Sequence, residues 1–383
     1  MQLKISLAAA TLISSMALQA EDYVSVQYLQ YNESDNRTAV SAPSLMVNKD
    51  FGTDYTLNVN VVADAVSGAS ETYYDASSGA SAFSRGIGVN ADDVSYGNVE
   101  YEDTRVAGGA TLITRFDNRD ELTVGLNYSS ESDFYSAEGS LEYMHWLTNS
   151  KNNSVSLGLS YQSNEVLVEC TPDNTSTCDA GSGASQAMTN DAINAQVSYF
   201  QNINSESYAK ASLFYIGDSG YLSNPYSNVV KNYIDGGTAD IVGENRPDSR
   251  TAYGLSLKYA NAITSNLSAH IGYRYYTDDW DIDSHTIDTD FYYELGSDWL
   301  IKLGLRYYMQ SEANFYSAEK DYFTNEEFAS SDMRLGDFTA ITYKTDVEYK
   351  ISEDFSANFG VNYYDQSEGL DATYLMTGLT YKF

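Results

Sequence analysis

Leu267-Ser268-Ala269-His270-Ile271-Gly272-Tyr273-Arg274-Tyr275 is the stretch that decides the fold. Leu267, Ala269, Ile271, Tyr273 and Tyr275 share one parity, and Ser268, His270, Gly272 and Arg274 take the other. Successive side chains of an extended chain point to opposite faces, so this is a strand with one apolar and one polar face. The pattern recurs outward in both directions. Tyr253, Leu255, Leu257 and Tyr259 alternate with Gly254, Ser256 and Lys258; Trp299, Ile301, Leu303, Leu305 and Tyr307 alternate with Lys302, Gly304 and Arg306; Phe355, Ala357, Phe359, Val361 and Tyr363 alternate with Ser356, Asn358, Gly360 and Asn362. An aliphatic centre with aromatic ends on one face suits a wall against lipid, and the polar face suits a wet interior. A soluble sandwich also alternates, but does not place Tyr so regularly at both ends of the apolar stripe.

Sixteen such segments are predicted, near residues 21–31, 41–49, 54–65, 101–116, 120–130, 134–147, 153–167, 190–202, 206–217, 249–262, 266–277, 284–295, 298–310, 334–351, 355–365 and 371–383. The connections alternate in length. Brief ones include Lys49 to Asp54, Asp117 to Asp120, Thr148 to Asn153, Gly296-Ser297-Asp298 and Ser352-Glu353-Asp354; long ones cover 66–100, 168–189, 218–248 and 311–333. An even strand number with short turns at one end and long loops at the other is the rule of a closed bacterial barrel. Leu375, Leu379, Tyr381 and the terminal Phe383 share one parity, resembling the C-terminal signal that outer-membrane barrel assembly machinery reads; Met376 departs from it. The tetrapeptide Ser-Gly-Ala-Ser recurs at 67–70, 78–81 and 182–185, in loop territory.

Composition excludes three classes. The chain has 54 Asp+Glu against 21 Lys+Arg and a formal net charge of -33, which repels phosphate and leaves no basic stripe for nucleic acid. Beyond the N-terminus no apolar run reaches the roughly 20 residues of a membrane helix. At 14% aromatic the chain is too rich for a disordered acidic segment. Lys4, the apolar run Ile5 to Leu18 and the small residues before Glu21 predict a signal peptide over 1–20, with Leu18 a poor −3 residue. The domain expected after it is 21–383, with a charge of -34 once Lys4 is gone. Export makes a disulfide between Cys170 and Cys178 the expectation, bracing an external loop by about 2–3 kcal/mol.

Parity also points to the chemistry. Lys258, His270, Arg274, Asp288, Asp290, Glu294, Lys302 and Arg306, with Lys344, Asp346, Glu348 and Lys350, should face inward. Basic strands flank an acidic one there, which serves either as cross-bracing of the wall or as a transverse field that selects passing solutes. Two placements fit the loop from Asp218 to Ser249: folded inward to narrow a pore, or exposed at the surface. Asp279, Asp281, Asp283 and Asp290 stand at positions 1, 3, 5 and 12 of a calcium-loop pattern, but position 6 is Ser284 and both flanks are strands, so an EF-hand is excluded. A looser Ca²⁺ or Mg²⁺ site at the acidic outer rim and a solvated hairpin tip are the two readings; no other cofactor is expected. Of the three His, only His285 beside Asp281 and Asp283 offers an Asp/His pair for a rim hydrolase, and no enzyme is the expectation.

Several stretches carry a family resemblance: Asp64-Ala65-Val66-Ser67-Gly68-Ala69-Ser70, Ser223-Asn224-Pro225-Tyr226, Arg246-Pro247-Asp248-Ser249-Arg250, Tyr273 to Trp280, Ser284-His285-Thr286, Arg306-Tyr307-Tyr308, Phe315-Tyr316 and Ser331 to Leu335. Together the chain resembles a family of uncharacterised proteobacterial outer-membrane β-barrel proteins, a domain-of-unknown-function family. The resemblance implies a barrel and supplies no activity or catalytic residues. The combined expectation is an all-β, transmembrane antiparallel β-barrel of about 16 strands with long external loops, in the outer membrane of a Gram-negative bacterium. It would be a passive porin-like channel with cation preference, or alternatively a closed-lumen structural or binding barrel with cation-binding loops. Its partners would be lipid, lipopolysaccharide and the assembly machinery, with a homo-oligomer compatible.

Overall fold

The structure, a computed structural model, describes residues 22–77, 85–169, 184–320 and 325–383. The expected signal peptide and the Cys170–Cys178 bridge lie outside the described residues. The first strands are β1 (Tyr23–Glu33), β2 (Thr38–Phe51), β3 (Tyr55–Asp75), β4 (Gly86–Asn90) and β5 (Val94–Arg115). Next come β6 (Glu121–Ser130), β7 (Phe134–Trp146), β8 (Asn153–Glu169), β9 (Ser185–Asn202) and β10 (Ser207–Gly220). The third group is β11 (Asn228–Lys231), β12 (Thr238–Gly243), β13 (Ser249–Thr264), β14 (Leu267–Asp278) and β15 (Asp283–Leu295). The chain closes with β16 (Trp299–Gln310), β17 (Phe338–Lys350), β18 (Phe355–Gln366) and β19 (Asp371–Lys382).

Sixteen of these form one closed antiparallel barrel, in the order β1-β19-β18-β17-β16-β15-β14-β13-β10-β9-β8-β7-β6-β5-β3-β2. Each of the sixteen predicted segments is one of its strands. The ring shuts where Tyr23 pairs with Lys382 and Glu33 with Ala372, so no edge is left unpaired in the barrel. The alternation in sequence dictates the two faces. Leu126, Leu213, Val106 and Phe359 are exposed on the outside, a band that needs lipid to satisfy it. Inside, Ser25 meets Thr380, Ser198 meets Ser212, and Asn164 meets Asn190 through side-chain hydrogen bonds.

Two of the predicted loops hold more structure than the sequence suggests. β3 and β5 run on to Asp75 and Val94 as one extended hairpin, and β4, β11 and β12 form a separate three-stranded sheet in the order β11-β12-β4. Its apolar residues end the alternation, because Val229, Val230 and Ile241 are all buried and both faces are covered. The buried apolar clusters gather toward the long-loop end. Tyr73, Ala91, Val94, Val230, Ala239 and Ile241 make one; Trp280, Ile282, Ala313, Phe315 and Leu335 make another. The apolar core of this protein is therefore mainly a cap of loops on a barrel, while the barrel interior is polar.

Candidate functional site

One side of the barrel wall, from β10 through β17, carries the inward charges. Cross-strand partners set them in rows. Lys210, Lys258, Gly272, Asp288, Arg306 and Thr342 form one row; Ala260, His270, Asp290, Gly304 and Lys344 form the next; Ser268, Tyr292, Lys302 and Asp346 follow. Arg274 lies one row toward the loops, opposite Ser256 and Thr286. The predicted residues Lys258, His270, Arg274, Asp288, Asp290, Lys302 and Arg306 are thus brought together on one wall. Glu294, opposite Leu300, sits apart near the short-turn end.

Two lysines hold three carboxylates. Lys344 Nζ lies 2.7 Å from Asp290 and 3.4 Å from Asp288, and Lys302 Nζ lies 4.0 Å from Asp290 and 3.9 Å from Asp346. Gly304 makes the first pair possible. It sits between Asp290 and Lys344 in the row, and a Cβ there would collide with the Asp290 carboxylate and come within 2.7 Å of Lys344 Cε. His270 is packed between Tyr208 and Tyr292, with ring centroids 6.4 and 4.8 Å away. Gly254 performs a matching service for Arg274: its bare backbone admits the Phe214 ring, and the Arg274 guanidinium lies 4.5 Å over that ring.

Four cations of this wall have no acidic partner. Among the described residues no carboxylate lies within ion-pair distance of Lys210, Lys258, Arg274 or Arg306, although Asp288 stands directly opposite Arg306. Asp288 is turned to Lys344 instead. Lys258, Arg274 and Arg306 are exposed while facing the interior of a closed barrel, so the lumen at their level is open to water. Over β10 and β13 to β17 the three rows and Arg274 carry six Lys or Arg against three Asp, the opposite sign to the chain as a whole. Beside β10 in the ring, β8 and β9 present amides and hydroxyls inward, whereas the strands across the ring carry their own charges, among them Arg105 paired with Asp64 at 2.8 Å and Glu138, which accepts from Asn127 at 3.3 Å.

Among the described residues, three loops cross the long-loop mouth. They are rooted at β3/β5, β10/β13 and β16/β17, which divide the sixteen-strand ring into arcs of six, four and six strands. All three pairs of loops touch. Asn228 N–H donates to Thr72 Oγ1 at 2.7 Å and its side-chain amide to Tyr73 O at 2.8 Å; the Tyr73 hydroxyl donates to Ala318 O; Asn245 exchanges backbone hydrogen bonds with Ala329. Loops from such separated roots meet across the mouth, so the segment 221–248 is packed against the other two loops. Arg246 fastens the last junction, 2.7 Å from Asp332 and 2.5 Å from Glu244, all three largely buried. Burial opposes charge on Asp332, but Arg334 and Arg246 outweigh it and hold that carboxyl well below the usual range.

The acidic candidates are dispersed. Asp279 accepts from the Thr251 N–H, Asp281 from Asn314, and Asp283 from the Tyr275 hydroxyl, while Asp290 lies down the wall with Lys344. These four do not converge on a common point. The described residues bring together a different triad, Asp103, Glu131 and Asp133, whose carboxylate oxygens lie within 4.8 Å of one another. Burial pushes the Glu131 carboxyl up to about 7. His285 shares the outward parity of Ile287 and Phe291, its Nδ1 lies 2.8 Å from the Tyr273 hydroxyl, and it packs against the Tyr275 ring, whose hydroxyl donates to Asp283. Sequence reasoning passed over Lys210 and the Arg246 junction; Ala209 and Ala211 flanking Lys210 with the outward parity of Leu213 were the available signal for the first.

Among solved structures, the chain is similar to a bacterial polysaccharide outer membrane secretin at a TM-score of 0.50 and 7% identity, covering 96% of this chain and 99% of that one. It is also similar to CdiB from Acinetobacter baumannii at a TM-score of 0.51 and 8% identity, covering 95% of this chain and 60% of that one. At these identities the likeness shows the fold alone, that of outer-membrane barrels. No curated protein matches the sequence significantly. The match that spans the chain is to a family model, over residues 3–382, and the protein belongs to the family described as "Protein of unknown function (DUF3570)".

Proposed function

We propose that the protein is a passive porin-like channel of a Gram-negative outer membrane, passing small hydrophilic solutes or ions, and that it is not an enzyme. The observation that carries the reading is the set of exposed, inward-facing charges Lys258, Arg274 and Arg306 inside a closed sixteen-strand barrel. Barrels of this strand number leave an aqueous lumen, and fixed charges on its wall orient and sort what passes. Cation preference rests on the acidic mouth and on inward carboxylates such as Glu138, because the wall from β10 to β17 has the opposite sign. In this reading the apolar band meets lipid, the acidic loops meet lipopolysaccharide through divalent ions, and the terminal Phe383 is read by the assembly machinery. Purified protein in planar bilayers is expected to give discrete conductance steps; silence at every voltage, both in wild type and in a variant with the Arg246 junction broken, refutes the channel.

The interlocked loops favour a second reading, in which the resting barrel is closed at its mouth and acts as a binding barrel. Silent wild-type protein that begins to conduct when the Arg246 junction is broken supports closure by the cap. Silence of both proteins supports the binding barrel.

A further inference from the structure

The strip formed by Lys210, Lys258, Arg274 and Arg306 goes beyond what a wall needs to hold its shape. Lys210 and Lys258 are direct cross-strand partners on the inner face, an arrangement of like charges that destabilises a sheet. Arg274 and Arg306 stand two strands and one row apart, about 12 Å by strand spacing and rise, and among the described residues neither is neutralised. Bracing would have used Asp288 for Arg306, yet Asp288 goes to Lys344. The strip is also held ready. The Phe214 ring beneath Arg274 fixes the guanidinium plane, and Asp290 and Asp288 draw Lys344 away from the strip.

From this arrangement we infer that the lumen wall holds a subsite for an oxyanion group, the carboxylate or phosphate of a small organic or inorganic anion, bound by Lys258, Arg274 and Arg306. Guanidinium forks match the paired oxygens of both groups, and the charge-assisted hydrogen bonds they form are shorter and stronger than neutral ones. The inference rests on the aqueous lumen of the proposed channel and names the solute class that the channel would take. Lys210 adds field from the next strand without being required for contact.

The test is calorimetric titration of the detergent-solubilised full chain with succinate and, separately, with inorganic phosphate, beside planar-bilayer conductance. Wild type is expected to bind at least one of the two saturably. Lys258→Gln, Arg274→Gln and Arg306→Gln are each expected to weaken binding about tenfold, the scale of one charge-assisted hydrogen bond. Glu294→Gln, far down the wall, is expected to bind as wild type does. Heat-modifiable gel migration verifies that each variant has its barrel. Binding of succinate alone identifies a carboxylate site, and binding of phosphate alone a phosphate site. Absence of binding by either anion, or unchanged binding in the triple Gln variant, overturns the subsite whatever the conductance. Binding without conductance keeps the subsite and removes the channel.

Discussion

Replacing Arg246 with methionine is expected to open the cap and leave the barrel standing. Arg246 contacts Glu244, whose side chain is fully buried, and it also reaches Asp332 at 2.7 Å. Breaking a buried pair by removing one partner costs about 3–5 kcal/mol, because the remaining charge is left without compensation. The lower end applies here. Asp332 keeps Arg334, and Glu244 keeps hydrogen bonds from the Asn224 N–H and the Ser330 hydroxyl. A local loss of about 3 kcal/mol lowers amide protection by roughly two orders of magnitude. Hydrogen exchange read by mass spectrometry should show that loss in 221–248 and 311–337, with β14 to β19 unchanged. The double variant Glu244→Leu/Arg246→Met should recover part of it, since both buried charges are then gone. Equal protection in wild type and Arg246→Met would refute the claim that this ion pair holds the loops together.

Gly304→Val is expected to separate Lys344 from Asp290, since the added atoms occupy the space between them; a neutral-pH loss of about 1–3 kcal/mol in barrel stability, read from heat-modifiable migration, checks it. Glu131→Gln is expected to stabilise the protein at pH 8 by about 1–2 kcal/mol after allowance for its partial exposure to solvent, and to do nothing at pH 4. Burial raises the folded pKa of Glu131 to about 7, so the folded state favours the protonated form, and stability falls as pH rises from the unfolded carboxyl value through 7. Thermal midpoints of both proteins at the two pH values decide it.

The strands were legible because lipid outside and water inside impose opposite demands on alternate residues. Leu257 and Lys258, or Leu305 and Arg306, declare their faces at once. The cap was not legible for the converse reason. Val229-Val230 are both buried, so β11 loses the alternation that marks a wall strand, and β12 is too short at Thr238–Gly243 to show more than one period of it. The junction of Glu244, Arg246 and Asp332 joins segments 86 residues apart, and nothing local announces such a meeting. The candidate site was half legible. Parity put Arg274, Asp288 and Arg306 on one wall, but which cations lack a partner depends on where Lys344 extends, and that depends on the missing side chain at Gly304.

The two signs of charge act in series, and salt separates them. The chain has 33 more acidic than basic residues, yet six of its 21 Lys and Arg stand on one inner wall against three Asp. Acids on the loops face water and act through a screening length of about 30 Å at 0.01 M salt but only about 3 Å at 1 M. The wall charges act at contact distance within a low-dielectric ring, where screening is weaker. At low ionic strength the mouth should therefore govern and the channel should favour cations. As salt rises the mouth is silenced first, and the preference should move toward anions. Reversal potentials across a fixed KCl ratio at mean concentrations of 0.01 M and 1 M measure this. A cation preference that persists undiminished at 1 M would show that the wall strip does not face the permeation path, and the argument from its unpartnered cations would fail with it.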